Sequence, residues 1–97
     1  MGNRLSKTMI SRDFKISNRL GLHARPSAQL TQVASRFQSD VMISRDGRRV
    51  NAKSIMGVMM LAAGPGSTVS VEAAGPDEES AVAAIGTLIE SRFGESG

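Results

Sequence analysis

The sequence has no cysteine, tryptophan or tyrosine, and its 97 residues include only three phenylalanines and one histidine. The absence of cysteine excludes disulfide bridges and thiolate zinc sites. A metal site is not expected either, because no second histidine or cysteine is present to complete a ligand set. The scarcity of aromatic rings leaves few platforms on which nucleic-acid bases could stack. No apolar run approaches the roughly 20 residues that a membrane span needs, so we expect no direct insertion into a membrane.

A chain of this length forms one small domain, and such a domain buries too small a core to enclose a large cofactor. We therefore expect no cofactor, and chemistry that takes place at the surface together with partner proteins. The lack of cysteine fits a reducing cytoplasm, where we place the protein. Nothing in the sequence requires more than a monomer.

Charge is unevenly distributed along the chain, whose formal net charge is +3. Residues 1–53 carry 11 Lys and Arg against 3 Asp and Glu, whereas residues 54–97 carry 1 against 6. Such asymmetry is typical of nucleic-acid binding or of docking to an acidic protein, and a solvated surface is the simplest alternative. Because the basic residues are scattered and aromatic rings are few, we expect an acidic protein partner and no nucleic acid.

The apolar pattern predicts a folded domain over residues 13–93, after a flexible basic leader over 1–12 and before a tail over 94–97. Alternation predicts four strands, centred on Phe14 to Ile16, Val41 to Ile43, Val50 to Ala52 and Val69 to Ala73. Spacings of three and four predict three helices, from about residue 24 to Phe37, over 54–62, and from an Asp77 cap to Gly94.

Asp46-Gly47 adds a strong signal for a type I′ hairpin turn between the second and third strands. The element order is therefore β-α-β-β-α-β-α. It predicts an α+β fold, an open-faced β-sandwich in which a four-stranded antiparallel sheet carries three helices on one face.

The single histidine lies in Gly-Leu-His-Ala-Arg-Pro at 21–26, at the mouth of the first predicted helix. Pro26 fits only the first turn, because it lacks a backbone N–H. Free N–H groups and the positive end of the helix dipole favour a neutral, nucleophilic His23 imidazole, and the same groups can bind phosphate oxygens. Arg25 adds a cation that can reach those oxygens. Taken alone, these residues are also compatible with a cap or an ordinary surface histidine.

The segment at 21–26 resembles the active-site signature of the HPr family, the phosphocarriers of the phosphoenolpyruvate-dependent sugar phosphotransferase system. Residues 53–61, Lys-Ser-Ile-Met-Gly-Val-Met-Met-Leu, are similar to that family's regulatory-serine region, at the family's usual separation. The resemblance covers residues 13–93, with Ser27 standing where alanine is common, a change we expect to be neutral.

The resemblance implies a sugar-transport phosphocarrier that is a stoichiometric intermediate and not an enzyme. It implies that Nδ1 of His23 accepts a phosphoryl group from phosphorylated Enzyme I and passes it to the A domain of a permease. Arg25 would steady the group in transfer. It also implies that HPr kinase/phosphorylase phosphorylates Ser54.

Ser54 has a simpler interpretation as well, because serine is among the preferred N-cap residues of a helix. Both roles are compatible. A phosphate at this cap would suit the helix dipole and would add negative charge beside the docking surface. We expect it to repel acidic partners such as Enzyme I and thereby to inhibit transfer.

The predicted helix over 54–62 carries more large apolar residues than one buried face needs. Its core side is assigned to Val58 and Leu61. An exposed docking patch is expected at Ile55, Met56 and Met59, with Lys53 beside it, because methionine side chains adapt to different partners. Arg19 and Arg25 would add to the basic face. A fully buried helix is the alternative.

A different class of function stays open, that of an HPr-like regulatory module, nitrogen-related or kinase-regulated, that controls partner proteins without sugar transport. The presence of His23 argues against a module regulated by serine alone. The sequence around Ser54 argues against the nitrogen-related branch. A small basic nucleic-acid binder, which would show steeply salt-dependent binding, ranks last.

Overall fold

The computed structural model describes residues 9–95. Their elements, in chain order, are β1 (Ile10–Lys15), α1 (Ala24–Ala34), β2 (Asp40–Arg45), β3 (Arg48–Asn51), α2 (Ile55–Met60), β4 (Thr68–Ala74) and α3 (Glu78–Glu90). A short 3₁₀ turn, Arg92–Gly94, follows α3 and is here named the C-terminal turn. The order confirms the predicted β-α-β-β-α-β-α arrangement. None of these helices has the length and hydropathy that crossing a bilayer requires.

The four strands form one antiparallel sheet in the order β1-β4-β2-β3. Phe14 lies opposite Val69 in the β1–β4 pair, and Ile43 lies opposite Val71 in the β2–β4 pair. Alternate residues of β4 are buried, and α3 packs against β1 and β4 on that face while α1 contacts both other helices. The predicted open-faced sandwich is therefore confirmed.

The core lies between that sheet face and the helices. Its fully buried large side chains include Ile16, Leu30, Ile43, Ile85 and Ile89. The hairpin prediction is also correct, since Asp46 (φ 52°) and Gly47 (φ 82°) both have the positive φ that a type I′ turn requires.

The first strand begins earlier than the pattern predicts. Residues 10–12, assigned to the leader, pair with 71–73 of β4. Ser11 and Arg12 are exposed, so no apolar alternation marks this part of the strand, which is held by its backbone pairing. The rest of the predicted leader, 1–8, lies outside the described residues.

The last helix ends at Glu90, whereas the pattern predicts that it continues to Gly94. Phe93 is buried as expected, but it reaches the core from the C-terminal turn, where its φ is +56°. The spacing of apolar residues shows only that Phe93 reaches the core. It does not show whether the backbone there is helical, so it could not locate the end of α3. Residue 95 is also packed against the rest of the molecule, which shortens the predicted tail, and 96–97 are not described.

Candidate functional site

The loop between β1 and α1 is folded on itself before it delivers His23. Asn18 is fully buried, and its Nδ2 donates to the carbonyl of Gly21 at 2.8 Å. Gly21 has a φ of +67°, and a Cβ at this position would collide with the carbonyl oxygen of Ala63. That same carbonyl accepts from the Leu22 N–H at 2.8 Å. Only glycine allows the two backbones to approach this closely, so Gly21 sets the position of the following histidine.

His23 occupies the N-cap position of α1 in an extended conformation, and its side chain makes no capping hydrogen bond. Pro26 lies in the first turn, as predicted, and contributes no N–H. The first turn contains no acidic residue. Within residues 9–95, no side chain closes this helix end, so its outward N–H groups remain available to an anion.

Ser27 fixes the same turn from the buried side. Its Oγ donates to the carbonyl of Leu22 at 3.1 Å, and its N–H donates to the carbonyl of His23 at 3.0 Å. The hydroxyl is thus satisfied in the core, which agrees with the expectation that serine is tolerated where alanine is common.

The imidazole of His23 is held by a residue that sequence reasoning missed. Nε2 lies 3.2 Å from Oε2 of Glu95, and the side chain of His23 is 36% exposed. Oε1 of Glu95 accepts from Nδ2 of Asn18 at 3.3 Å. Among the described residues, no side chain hydrogen-bonds Nδ1. Glu95 fell in the predicted tail, and no local pattern signals a contact across 72 positions.

Arg25 lies on the first turn of α1, two positions after His23, and is exposed. Its guanidinium forms no ion pair with the acidic residues of the described chain. The structure therefore places both predicted transfer residues at the same helix start and leaves the arginine free to turn toward a bound anion.

Ser54 caps α2 as predicted. Its Oγ accepts from the N–H of Gly57 at 3.1 Å. The neighbouring Lys53 is half-buried, and its ammonium donates to the carbonyl of Phe37 at 2.9 Å, just beyond the end of α1. The lysine assigned to docking thus also ties the start of α2 to the end of α1.

The exposed face of α2 carries four large apolar residues, here named the methionine patch: Ile55, Met56, Met59 and Met60, which are 38% to 70% exposed. Val58 and Leu61 are buried, as expected, so the fully buried alternative is wrong. Met60, which the sequence analysis does not assign to the patch, is 59% exposed. The patch lies on the helix that contacts α1, the element that presents His23.

The chain matches the model of the PTS-HPr family, described as the PTS HPr component phosphorylation site, over residues 10–91. It is 63% identical over 87 residues to the phosphocarrier protein HPr of Cupriavidus necator, an alignment covering 90% of this chain and 98% of the relative.

The crystal structure of HPr-C-His from Thermoanaerobacter tengcongensis is similar in fold, with a TM-score of 0.88 and 46% identity, covering 91% of this chain and 99% of that one. An HPr dimer from the same organism matches with a TM-score of 0.73 and 50% identity, covering 84% of this chain and 94% of that one. The open helix start, the sheet topology and these similarities agree, and the chain belongs to the HPr family of phosphocarriers of the phosphotransferase system, which are not enzymes in their own right.

Proposed function

We propose that Nδ1 of His23 accepts a phosphoryl group from phosphorylated Enzyme I and passes it to the A domain of a sugar permease. One observation carries this proposal: Nε2 is occupied by Glu95, while Nδ1 has no described partner and stands at the uncapped start of α1. In the transfer from Enzyme I, the Nδ1 lone pair forms a bond to phosphorus as the P–N bond of the donor breaks. In the transfer to the permease domain, the Nδ1–P bond of His23 breaks as a histidine of the acceptor bonds phosphorus. The donor imidazole keeps that bonding pair.

The site supports the transfer electrostatically. The phosphoryl oxygens carry their charge toward the first turn of α1, where N–H groups are free and the helix dipole is positive. Arg25 is free to bond the same oxygens. Because this helix end is open to solvent, the phosphohistidine is stabilised only moderately, and a second histidine can approach in line to remove the group.

We assign partner docking to the methionine patch, with Ile55, Met56 and Met59 as its first contacts and Lys53 at its edge. Exposed methionines repack easily, which suits one surface that must bind both Enzyme I and a permease domain. The positive charge of Arg19, Arg25 and Lys53 fits acidic partner surfaces. In this proposal the protein works in the cytoplasm and docks as a monomer.

Ser54 is proposed as the regulatory phosphorylation site, modified by an HPr kinase/phosphorylase. Among residues 9–95 its hydroxyl accepts from one N–H, that of Gly57, so a phosphate could replace it at the start of α2 without opening the helix. The added negative charge would lie next to the methionine patch, where it would weaken binding to acidic partners.

The test is phosphorylation from phosphoenolpyruvate by catalytic amounts of Enzyme I, followed by intact mass, with His23→Ala measured in parallel. The expected result is one acid-labile phosphate on the wild type and none on the variant. The absence of transfer with Enzyme I of the same organism would contradict the proposal and favour a regulatory module. HPr kinase, ATP and Ser54→Ala would then test that alternative.

A further inference from the structure

The C-terminal turn has an unusual backbone. Three consecutive residues, Arg92 (φ 57°), Phe93 (φ 56°) and Gly94 (φ 75°), are left-handed. Only the last is a glycine, and left-handed backbone is unfavourable for the other two because Cβ crowds the following carbonyl. A conformation that local preferences oppose persists only where the surrounding structure requires it.

The surrounding structure holds this turn in two ways. The side chain of Phe93 is buried in the core, 2% exposed. The N–H of Gly94 donates to Ser91 at 3.1 Å, and the N–H of Glu95 donates to Arg92 at 2.9 Å. The reversal therefore ends at a fixed point, and that point is Glu95.

Both carboxylate oxygens of Glu95 are engaged by the site. Oε2 lies 3.2 Å from Nε2 of His23, and Oε1 accepts from Asn18 at 3.3 Å. Asn18 is itself fully buried and bonded to Gly21. The glutamate side chain is only 21% exposed, so its negative charge is partly shielded from water at the imidazole.

We propose that Glu95 is a positioning residue for phosphoryl transfer, which selects Nδ1 as the nucleophile and keeps the proton on Nε2 in the phosphorylated form. This inference rests on the proposed function of His23. A carboxylate can only accept, so it favours the tautomer in which Nε2 carries the proton and Nδ1 carries the lone pair. The strained turn exists to deliver that carboxylate.

The charge balance gives Glu95 a second effect. When neutral His23 bonds phosphorus through Nδ1 and the donor's P–N bond breaks, no proton moves and the ring becomes a cationic phosphoimidazolium. Glu95 faces the Nε2–H of that cation and stabilises it. A ring that keeps this proton is a neutral imidazole when it leaves, so the phosphoryl group stays transferable to the next acceptor.

The experiment compares Glu95→Gln with Glu90→Gln in the full chain. Glu90 is an exposed residue at the end of α3 and provides the matched loss of one negative charge. Glutamine keeps the size of glutamate but can donate its amide hydrogen to Nε2, which favours the wrong tautomer. Three quantities are measured: the imidazole ¹⁵N shifts, the kinetics with Enzyme I, and phosphate loss at pH 8.

For Glu95→Gln we expect the Nδ1 and Nε2 shifts to move toward each other, since the proton becomes shared between the tautomers. The kcat of Enzyme I for this carrier should fall about tenfold, with little change in KM. A tenfold loss corresponds to the lower end of the energy of a hydrogen bond to a charged group. The phosphorylated variant should lose its phosphate several-fold more slowly at pH 8.

The inference is overturned if Glu95→Gln matches Glu90→Gln in all three measurements, or if a rate falls while the ¹⁵N shifts stay unchanged. The ¹⁵N shifts are read on free protein and report the contact even where transfer is slow. Failure of the proposed function looks different, because the wild type itself would then accept no phosphate at His23.

Discussion

Two helices of this molecule begin in opposite ways. His23 and Ser54 both occupy N-cap positions with an extended backbone, at the starts of α1 and α2. Ser54 bonds its own helix through Gly57, whereas His23 turns away and contacts Glu95. A closed start stabilises its helix, and an open start leaves N–H groups for a ligand. An N-cap position alone therefore does not determine function. What matters is whether the N-cap side chain bonds its own helix, as Ser54 does, or another residue, as His23 does.

The most direct test of this contrast is a variant that caps the start of α1 with its own side chain. His23→Asn replaces a side chain that does not cap with one of the best capping residues, on a backbone already extended at φ −80°. We expect phosphoryl acceptance to be abolished while the free energy of unfolding rises by about 0.5–1 kcal/mol. Intact mass and urea denaturation measure the two effects. A variant that lost stability would show that the imidazole supports the fold.

The two helix starts also differ in their glycines. Gly21→Ala would force a left-handed alanine against the carbonyl of Ala63, and we expect it to cost about 3 kcal/mol from backbone strain and overpacking together. Gly57→Ala is the matched control, since its Cβ would lie 3.3 Å from Cβ of Val50 with no positive φ. Helix propensity offsets that contact, so the control should stay within about 1 kcal/mol of wild type. Equal losses in urea titrations would contradict the role of Gly21.

Arg25 lies at the open start of α1, and replacing it tests the chemistry of that site without disturbing the fold. The side chain is exposed, so Arg25→Ala should leave the melting temperature unchanged. We expect the rate of transfer from Enzyme I to fall roughly tenfold, below the loss typical of a buried oxyanion donor because this site is open to solvent. Arg36→Ala removes an exposed charge just beyond the end of α1 and should have little effect. Equal rates for the two variants would reduce Arg25 to general surface charge.

We expect variants at the closed start of α2 to have smaller effects than those at the open start of α1. Ser54→Ala removes the side-chain cap of α2 and should lower the free energy of unfolding by about 1 kcal/mol in urea denaturation, with transfer from Enzyme I unchanged. Ser54→Asp should preserve the cap and slow that transfer, because it places a negative charge beside the methionine patch. If Ser54→Asp accepted phosphate as fast as wild type, the proposed inhibitory role of the serine would be wrong.

Features set by neighbouring residues could be predicted from the sequence. Pro26 restricts its own turn, Asp46-Gly47 forms its own hairpin, and alternation places the buried face of β4. His23 and Ser54 were found for the same reason, since an N-cap position is defined by the residues that follow it. The element order therefore agrees with the structure, and the errors lie at the ends of elements. β1 begins earlier than predicted, α3 ends at Glu90, and α1 ends at Ala34, before the predicted Phe37.

Contacts between distant residues could not be predicted in this way. Glu95 reaches His23 only because Arg92 and Phe93 adopt a left-handed backbone that neither residue prefers. The 59% exposure of Met60 depends on which face of α2 packs against α1 and β3, the elements that α2 contacts, and helical spacing alone does not determine that face. Asp77 is the third case, because its role at the start of α3 was inferred from local position alone.

Asp77 sits at the N-cap of α3, but its carboxylate makes no capping bond there. It accepts instead from Oγ of Ser39 at 2.5 Å and from the N–H groups of Gln38 and Ser39 at 3.0 and 2.9 Å. α3 therefore begins in a third way, with a side chain that fastens a distant loop. The Ser39 hydroxyl, followed by the Gln38 N–H, holds the pKa of Asp77 below its ordinary value of 3.8.

A lowered pKa in the folded state means that the ionised carboxylate stabilises the fold above its unfolded pKa and loses this effect as the pH falls through the folded value. Asp77→Asn should therefore be less stable than wild type at pH 7, and the difference should shrink below about pH 4. Urea denaturation at pH 7, 4 and 3 measures it, with Glu79→Gln as the control for loss of an exposed first-turn charge. A stability difference between the variant and the wild type that stayed constant or grew toward pH 3 would contradict this expectation. It would mean that Asp77 acts through its shape, and not through the negative charge that Gln38 and Ser39 bind.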